Sequence, residues 1–182
     1  MTFSTSHPRR RRMMFAVLVV SLASAVSPGF AGSEAATAAL KLKDGKDIGT
    51  ATFTDAAAGV LIRLDLTGLP PGAHAVHVHE TGTCEADFTS AGAIYNPLGA
   101  KHGFLNDDGP MAGDLPNVYA AADGTLKAEI LSPLLSLSKE TEDGLFDADG
   151  ASLVLFAAAD DHLSEPEGNS GDRMACGKIT AK

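Results

Sequence analysis

The chain has 182 residues, 45% of them apolar, and its fourteen Lys and Arg against twenty-three Asp and Glu give a formal charge of −9. That length supports one core-forming domain preceded by a leader. The acidic balance argues against a nucleic-acid partner, because phosphates must be neutralised by Lys and Arg.

In chain order, Arg9-Arg10-Arg11-Arg12 precedes an apolar run from Met13 to Val26 and then small residues. These are the n-region, h-region and exit of a secretory signal peptide. Cleavage is expected after about Ala25 or Ala31, so residues 1–31 read as leader and exit region. The apolar run is well short of the roughly 20 residues that span a bilayer, so no membrane attachment is expected after cleavage. Arg11-Arg12-Met13-Met14-Phe15 also fits a twin-arginine export motif, although the general secretory route ranks first. Cleavage removes four arginines and no acids, which leaves the mature part at −13.

Small residues around 32–37 read as a linker, and the domain as 38–182. Ala39–Leu42 and Ile48–Phe53 alternate on either side of an Asp44-Gly45 hairpin signal. Val60, Ile62, Leu64 and Leu66 mark a half-buried strand that Pro70-Pro71-Gly72 stops. Ala75–His79 alternates again. Further strands are predicted at Thr125–Ile130, Ser152–Ala157 and Lys178–Ala181. Leu131–Glu142 is the nearest approach to an amphipathic helix, with Pro133 near its start. Short strands and Gly/Pro/Asp turns predict an antiparallel β-sandwich or barrel. Thr81–Gly124 and Asp160–Arg173 are too long and too rich in Gly, Pro, Asn and Asp for strands, and loops of that length in a compact domain are usually functional.

His74, His77 and His79 are three of only six histidines. On a strand, residues two apart share a face, so His77 and His79 present paired imidazoles, half of a transition-metal site. The loops offer His102, Asp114, Asp160, Asp161 and His162 as further donors. Only two cysteines are present, Cys84 and Cys176. After export they either form a disulfide, worth about 4–5 kcal/mol on chain-entropy arithmetic, or stay reduced.

The strings GAHAVHVHETGTCE, TSAGAIYNPLGAKHG, GDLPN, AAADDHLSEP and GDRMACG resemble, in order and spacing, the Cu/Zn superoxide dismutases, the bacterial periplasmic branch above all. The resemblance covers about residues 38–182. It implies a Greek-key antiparallel β-barrel with two long functional loops, a Cys84–Cys176 disulfide, and a periplasmic location. Carried over by motif, His77 and His79 match two copper ligands, and His74 an outer histidine just upstream. His102 and Asp114 match two zinc ligands, Asp160 links the two sites, and Arg173 matches the arginine that draws the substrate anion toward copper.

Three positions depart from the family pattern. The bridging histidine of Ser-Ala-Gly-x-His-Phe-Asn-Pro is Ile94, a zinc histidine is Met111, and the last copper histidine is Phe156. Ile and Phe carry no donor atom, and the Met thioether suits Cu(I) rather than zinc. Flanking motifs fix the register at all three. His162 reads as a solvated loop residue rather than a replacement ligand.

The favoured reading is therefore a protein that binds copper and/or zinc, down to a single ion, through His77, His79, His102 and Asp114, with weak or no dismutase activity. Two alternatives stand beside it: a working dismutase, with superoxide as its partner, and a metal-free structural or binding module. Arg173 is expected to steer substrate in an active enzyme, and otherwise to pair with carbonyls and acids. Monomer and homodimer both remain open.

Overall fold

The computed structural model describes residues 1–2, 35–138 and 144–182. Residues 3–31 of the leader, with its cleavage points, and residues 32–34 of the linker lie outside the described residues, as does the end of the 131–142 segment. Among the described residues ten strands follow one another: β1 (Ala35–Leu42), β2 (Asp47–Ala56), β3 (Gly59–Leu66), β4 (Gly72–His74), β5 (Val76–His79), β6 (Val118–Ala120), β7 (Leu126–Ser132), β8 (Ser152–Phe156), β9 (Arg173–Lys178) and β10 (Thr180–Ala181). A 3-10 turn at Thr89–Ala91 is the sole helical element among the described residues.

The main sheet runs β5-β8-β9-β1-β2-β3-β7, with β10 added beside β1, and all its pairings are antiparallel. It curls into a half-barrel. The chain leaves β3 for the far edge at β5 and crosses back from β7 to β8, the long connections of a Greek key. Alternation supplies the core: Phe53, Val60, Ile62, Leu66, Leu126 and Leu155 are buried, while Arg63, Asp65, Lys127 and Glu129 point out. Across β3 and β7, Arg63 pairs with Glu129 and Lys127 with Asp65, exposed pairs that contribute little.

Three expectations shift. β1 opens at Ala35 rather than Ala39, because Ala36 and Ala38 alternate into the core despite their small size. β9 begins at Arg173, the residue expected to close a loop. It lacks β-branched residues, but it lies between β8 and β1 and takes its order from both. β4 and β6 form a two-stranded ribbon pairing Gly72–His74 with Val118–Ala120 inside the segment expected as loop. After Ser132 the chain leaves β7 in a turn, without a helix among the described residues.

The disulfide Cys84–Cys176 is present, with its Cα atoms 5.7 Å apart across 92 positions. It pins the first long loop against β9. Cys176 packs in a small apolar cluster with Ala75, Phe88, Ala91, Val154 and Phe156. That cluster lies on the opposite side of β5 and β8 from the main core, over the face that carries the histidines.

Candidate metal centre

β5 sends Val76 and Val78 into the main core and His77 and His79 to the other face. Nevertheless both histidines are 0% exposed. The loops cover them from two directions. On one flank β8 sets Val154 opposite His77 and Ser152 opposite His79. On the other, the first long loop covers the strand edge, with Ile94 opposite His79 and Asp114 opposite His77. Gly113 makes this possible: a Cβ there would come within 2.2 Å of the Val78 carbonyl and 2.9 Å of Ile94.

Hydrogen bonds fix both rings. His79 Nδ1 donates to the Gly92 carbonyl at 3.1 Å, and His77 Nε2 donates to Asp160 Oδ2 at 2.9 Å. The remaining ring nitrogens, His77 Nδ1 and His79 Nε2, are buried without a hydrogen-bond partner. Buried polar atoms normally have partners, so two orphans on adjacent side chains mark a place for a ligand. The ring centroids are 6.4 Å apart, the outer limit for two imidazoles on one ion at metal–nitrogen distances of about 2 Å. Phe156 lies 5.2 Å from His77 and is stacked on His79 at 5.9 Å. Burial, reinforced by the charge of Arg173, holds the His79 pKa down at about 3, so its ring is neutral across ordinary pH.

His102 and Asp114 are arranged differently. His102 Nδ1 donates to Asp114 Oδ1 at 2.8 Å and its Nε2 to Asp160 Oδ1 at 3.1 Å. Burial opposes the charge on His102, but the two carboxylates outweigh it and raise the pKa to about 10. Burial of Asp160 is likewise outweighed, by the donors of His102 and His77, so that its carboxyl titrates far below the usual range. The second oxygen of Asp114 accepts from the amides of Gly103 and Met111 at 2.8 and 2.9 Å. His102 and Asp114 are therefore satisfied by each other and by their neighbours. The His77 and His102 rings come within 5.5 Å, yet His77, His79, His102 and Asp114 do not form the single four-donor cage expected from the sequence. Among the described residues, no group of three or more His, Cys, Asp or Glu is disposed to hold an ion.

His74 bridges the Phe156 and Pro70 carbonyl oxygens through its two ring nitrogens, each at 2.8 Å, and so ties the corner before β5 to the end of β8. Arg173 donates to the carbonyls of Phe88 and Gly92, each at 2.8 Å, and pairs with Glu167. Three of its five N–H groups are thus committed to the loops. His162 is half-buried rather than solvated. It lies 3.4 Å from Asp160 Oδ2, accepts from Asn117 Nδ2 at 3.1 Å, and packs on Phe104.

Sequence reasoning missed two supports. Asn117 exchanges hydrogen bonds with the backbone N–H and carbonyl of Asp160, each at 2.8 Å; it stands in the quoted GDLPN string and could have been read there. Gly168, at φ +64°, lies so close under the Asp160 carboxylate that a Cβ would come 1.6 Å from Oδ1. Nothing local in its surroundings signals this.

This arrangement has counterparts among known proteins. The family model of copper/zinc superoxide dismutase matches residues 48–179. The chain belongs to the copper/zinc superoxide dismutase family. It is 52% identical over 147 residues to a superoxide dismutase [Cu-Zn] of Caulobacter vibrioides, covering 79% of this chain and 84% of that one. The crystal structure of a superoxide dismutase-like protein from Bacillus subtilis superposes with a TM-score of 0.75 at 37% identity, covering 78% of this chain and 96% of that one. The Cu/Zn superoxide dismutase of Brucella abortus gives 0.66 at 29% identity, covering 81% and 100%. Superoxide is the substrate of this dismutase family, and copper and zinc are its metals. In this member, the residues that would hold a copper ion are His77 and His79, whose unpartnered ring nitrogens are the donors it would use. The zinc pair fits less well, because His102 and Asp114 must separate before either can bind.

Proposed function

We propose that this chain is an exported, periplasmic member of the dismutase family that binds a metal ion and dismutates superoxide weakly or not at all. The observation that carries this reading is the pair of orphaned nitrogens, His77 Nδ1 and His79 Nε2, set against Ile94 and Phe156. The pair keeps a place for an ion. The two apolar side chains stand where the family pattern has its bridging and last copper histidines, so copper loses half of its imidazoles and any relay through a shared ring. Two imidazoles alone leave the redox potential under little control by the protein. Arg173, held by two carbonyls and Glu167, has a structural role sufficient to explain its presence.

The arginine-rich leader supports export, and the oxidised Cys84–Cys176 pair is consistent with it. The test is metal content and superoxide consumption, measured on the same purified protein after loading with copper and zinc. One retained ion without turnover supports the reading, provided that His77→Phe and His79→Phe each abolish retention. Failure to retain any ion refutes metal binding and leaves a metal-free module on this scaffold. Rapid copper-dependent turnover refutes the loss of activity.

A further inference from the structure

We propose that the His77–His79 pair selects a soft monovalent cation, Cu(I), over Zn²⁺ and Cu²⁺; this rests on the metal-binding reading above. Three observations carry it. The first is where the lone pairs lie. The Gly92 carbonyl can only accept, so His79 Nδ1 holds the hydrogen and Nε2 the lone pair. Asp160 fixes His77 in the same way, with the hydrogen on Nε2 and the lone pair on Nδ1. Both orphaned atoms are thus the ring nitrogens left to bind an ion, on side chains with no exposure.

The second is that, among the described residues, no uncommitted His, Cys, Asp or Glu stands beside the pair to act as a third donor; the nearby His102 ring has both nitrogens engaged. Phe156 and Ile94 wall the pair with carbon. The nearby carboxylates are committed, Asp160 to His77 and His102, and Asp114 to His102 and two amides. Zn²⁺ requires about four ligands and Cu²⁺ a tetragonal set, whereas Cu(I) accepts few and soft ones. The buried Ser152 hydroxyl, opposite His79 and without a hydrogen-bond partner, is a neutral oxygen that suits none of these ions as a strong ligand.

The third is charge. The two imidazoles bring no negative charge of their own, the Asp160 and Asp114 carboxylates beside them are already shared with His77, His102 and backbone amides, and the Arg173 guanidinium shares the Gly92 carbonyl with His79. The cost of burying an ion grows with the square of its charge, so a divalent ion costs roughly four times as much as a monovalent one here.

The experiment uses the purified exported protein, made metal-free. It is titrated anaerobically with Cu(I) kept reduced by ascorbate, which leaves the disulfide intact, against a coloured Cu(I) chelator. Zn²⁺ and Cu²⁺ titrations run in parallel. One Cu(I) per chain is expected, held at least about 100-fold more tightly than either divalent ion. Because Cu(I) is diamagnetic, ¹⁵N spectra should show His77 Nδ1 and His79 Nε2 shifting while both His102 nitrogens stay put. Phe156→His, which adds a third imidazole, should raise Cu²⁺ affinity more than Cu(I) affinity. Equal retention of Zn²⁺ or Cu²⁺, or a Cu(I)-induced shift at His102, overturns the selectivity and leaves metal binding intact. No retention of any ion overturns both.

Discussion

Acidifying the metal-free protein should destabilise it through His79. In the unfolded chain this imidazole titrates near 6.5, and in the folded chain near 3, because burial and Arg173 penalise its charged form. Below about pH 6.5 the unfolded state therefore binds the proton first and stability falls as pH falls. The slope is about 1.4 kcal/mol per pH unit. The accumulated loss approaches about 4–5 kcal/mol by pH 3, a large share of the stability of an ordinary domain. His102 acts in the opposite direction. Its pKa is raised to about 10 by Asp114 and Asp160, so its stabilisation is complete below about 6.5 and is lost as pH rises toward 10. Asp160, with its pKa depressed, adds stability above the usual carboxylate range that disappears in acid. Urea unfolding of the metal-free protein from pH 4 to 9 should thus give a dome centred near pH 6.5. His79→Gln should flatten the acid limb and leave the alkaline limb in place. His102→Gln should flatten the alkaline limb. If the wild-type midpoint does not change between pH 4 and 6.5, or if His79→Gln retains the full acid slope, the assignment of His79 as a buried neutral ring is wrong.

Gly168→Ala forces a Cβ into the Asp160 carboxylate at a positive φ. It should cost at least about 2 kcal/mol in urea unfolding and weaken protection of the His162 amide, which donates to Asp160. Phe156→Ala removes a fully buried ring packed against both histidines. It should cost about 3–5 kcal/mol by calorimetry, and a change below about 1 kcal/mol would mean that the ring is not packed as described. Reducing Cys84–Cys176 releases a link across 92 positions. Stability should drop by about 4–5 kcal/mol, and hydrogen exchange should quicken first at the Phe88–Gly92 segment that it anchors. Asn117→Ala removes both backbone contacts to Asp160. It should lower stability by about 1–3 kcal/mol without changing the disulfide, as measured by urea midpoint and thiol titration.

Alternation at Val60–Leu66 and Ala75–His79, turn residues at Asp44-Gly45 and Pro70-Pro71-Gly72, and the two long polar stretches were sufficient to read an antiparallel β fold with functional loops. The same period of two placed His77 and His79 on one face, and the letters at 94, 111 and 156 are Ile, Met and Phe where the family pattern has histidine. These are local properties, set by the direction of each side chain and its chemistry. β9 was harder to read, because Arg173–Lys178 contains a glycine and no β-branched residue, and its strand character comes from β1 and β8 on either side. The state of the site was not legible at all. That an outward-facing histidine pair is wholly buried depends on loops tied down by Cys84, Gly113 and Arg173. Which nitrogen of each ring is free depends on Gly92 and Asp160, 13 and 83 positions away in the chain. That His102 and Asp114 hold each other rather than wait for an ion depends on Asp160 and two backbone amides. Periodicity in a sequence encodes where a side chain points, whereas burial, tautomer and pairing are set by partners that only the folded chain brings together.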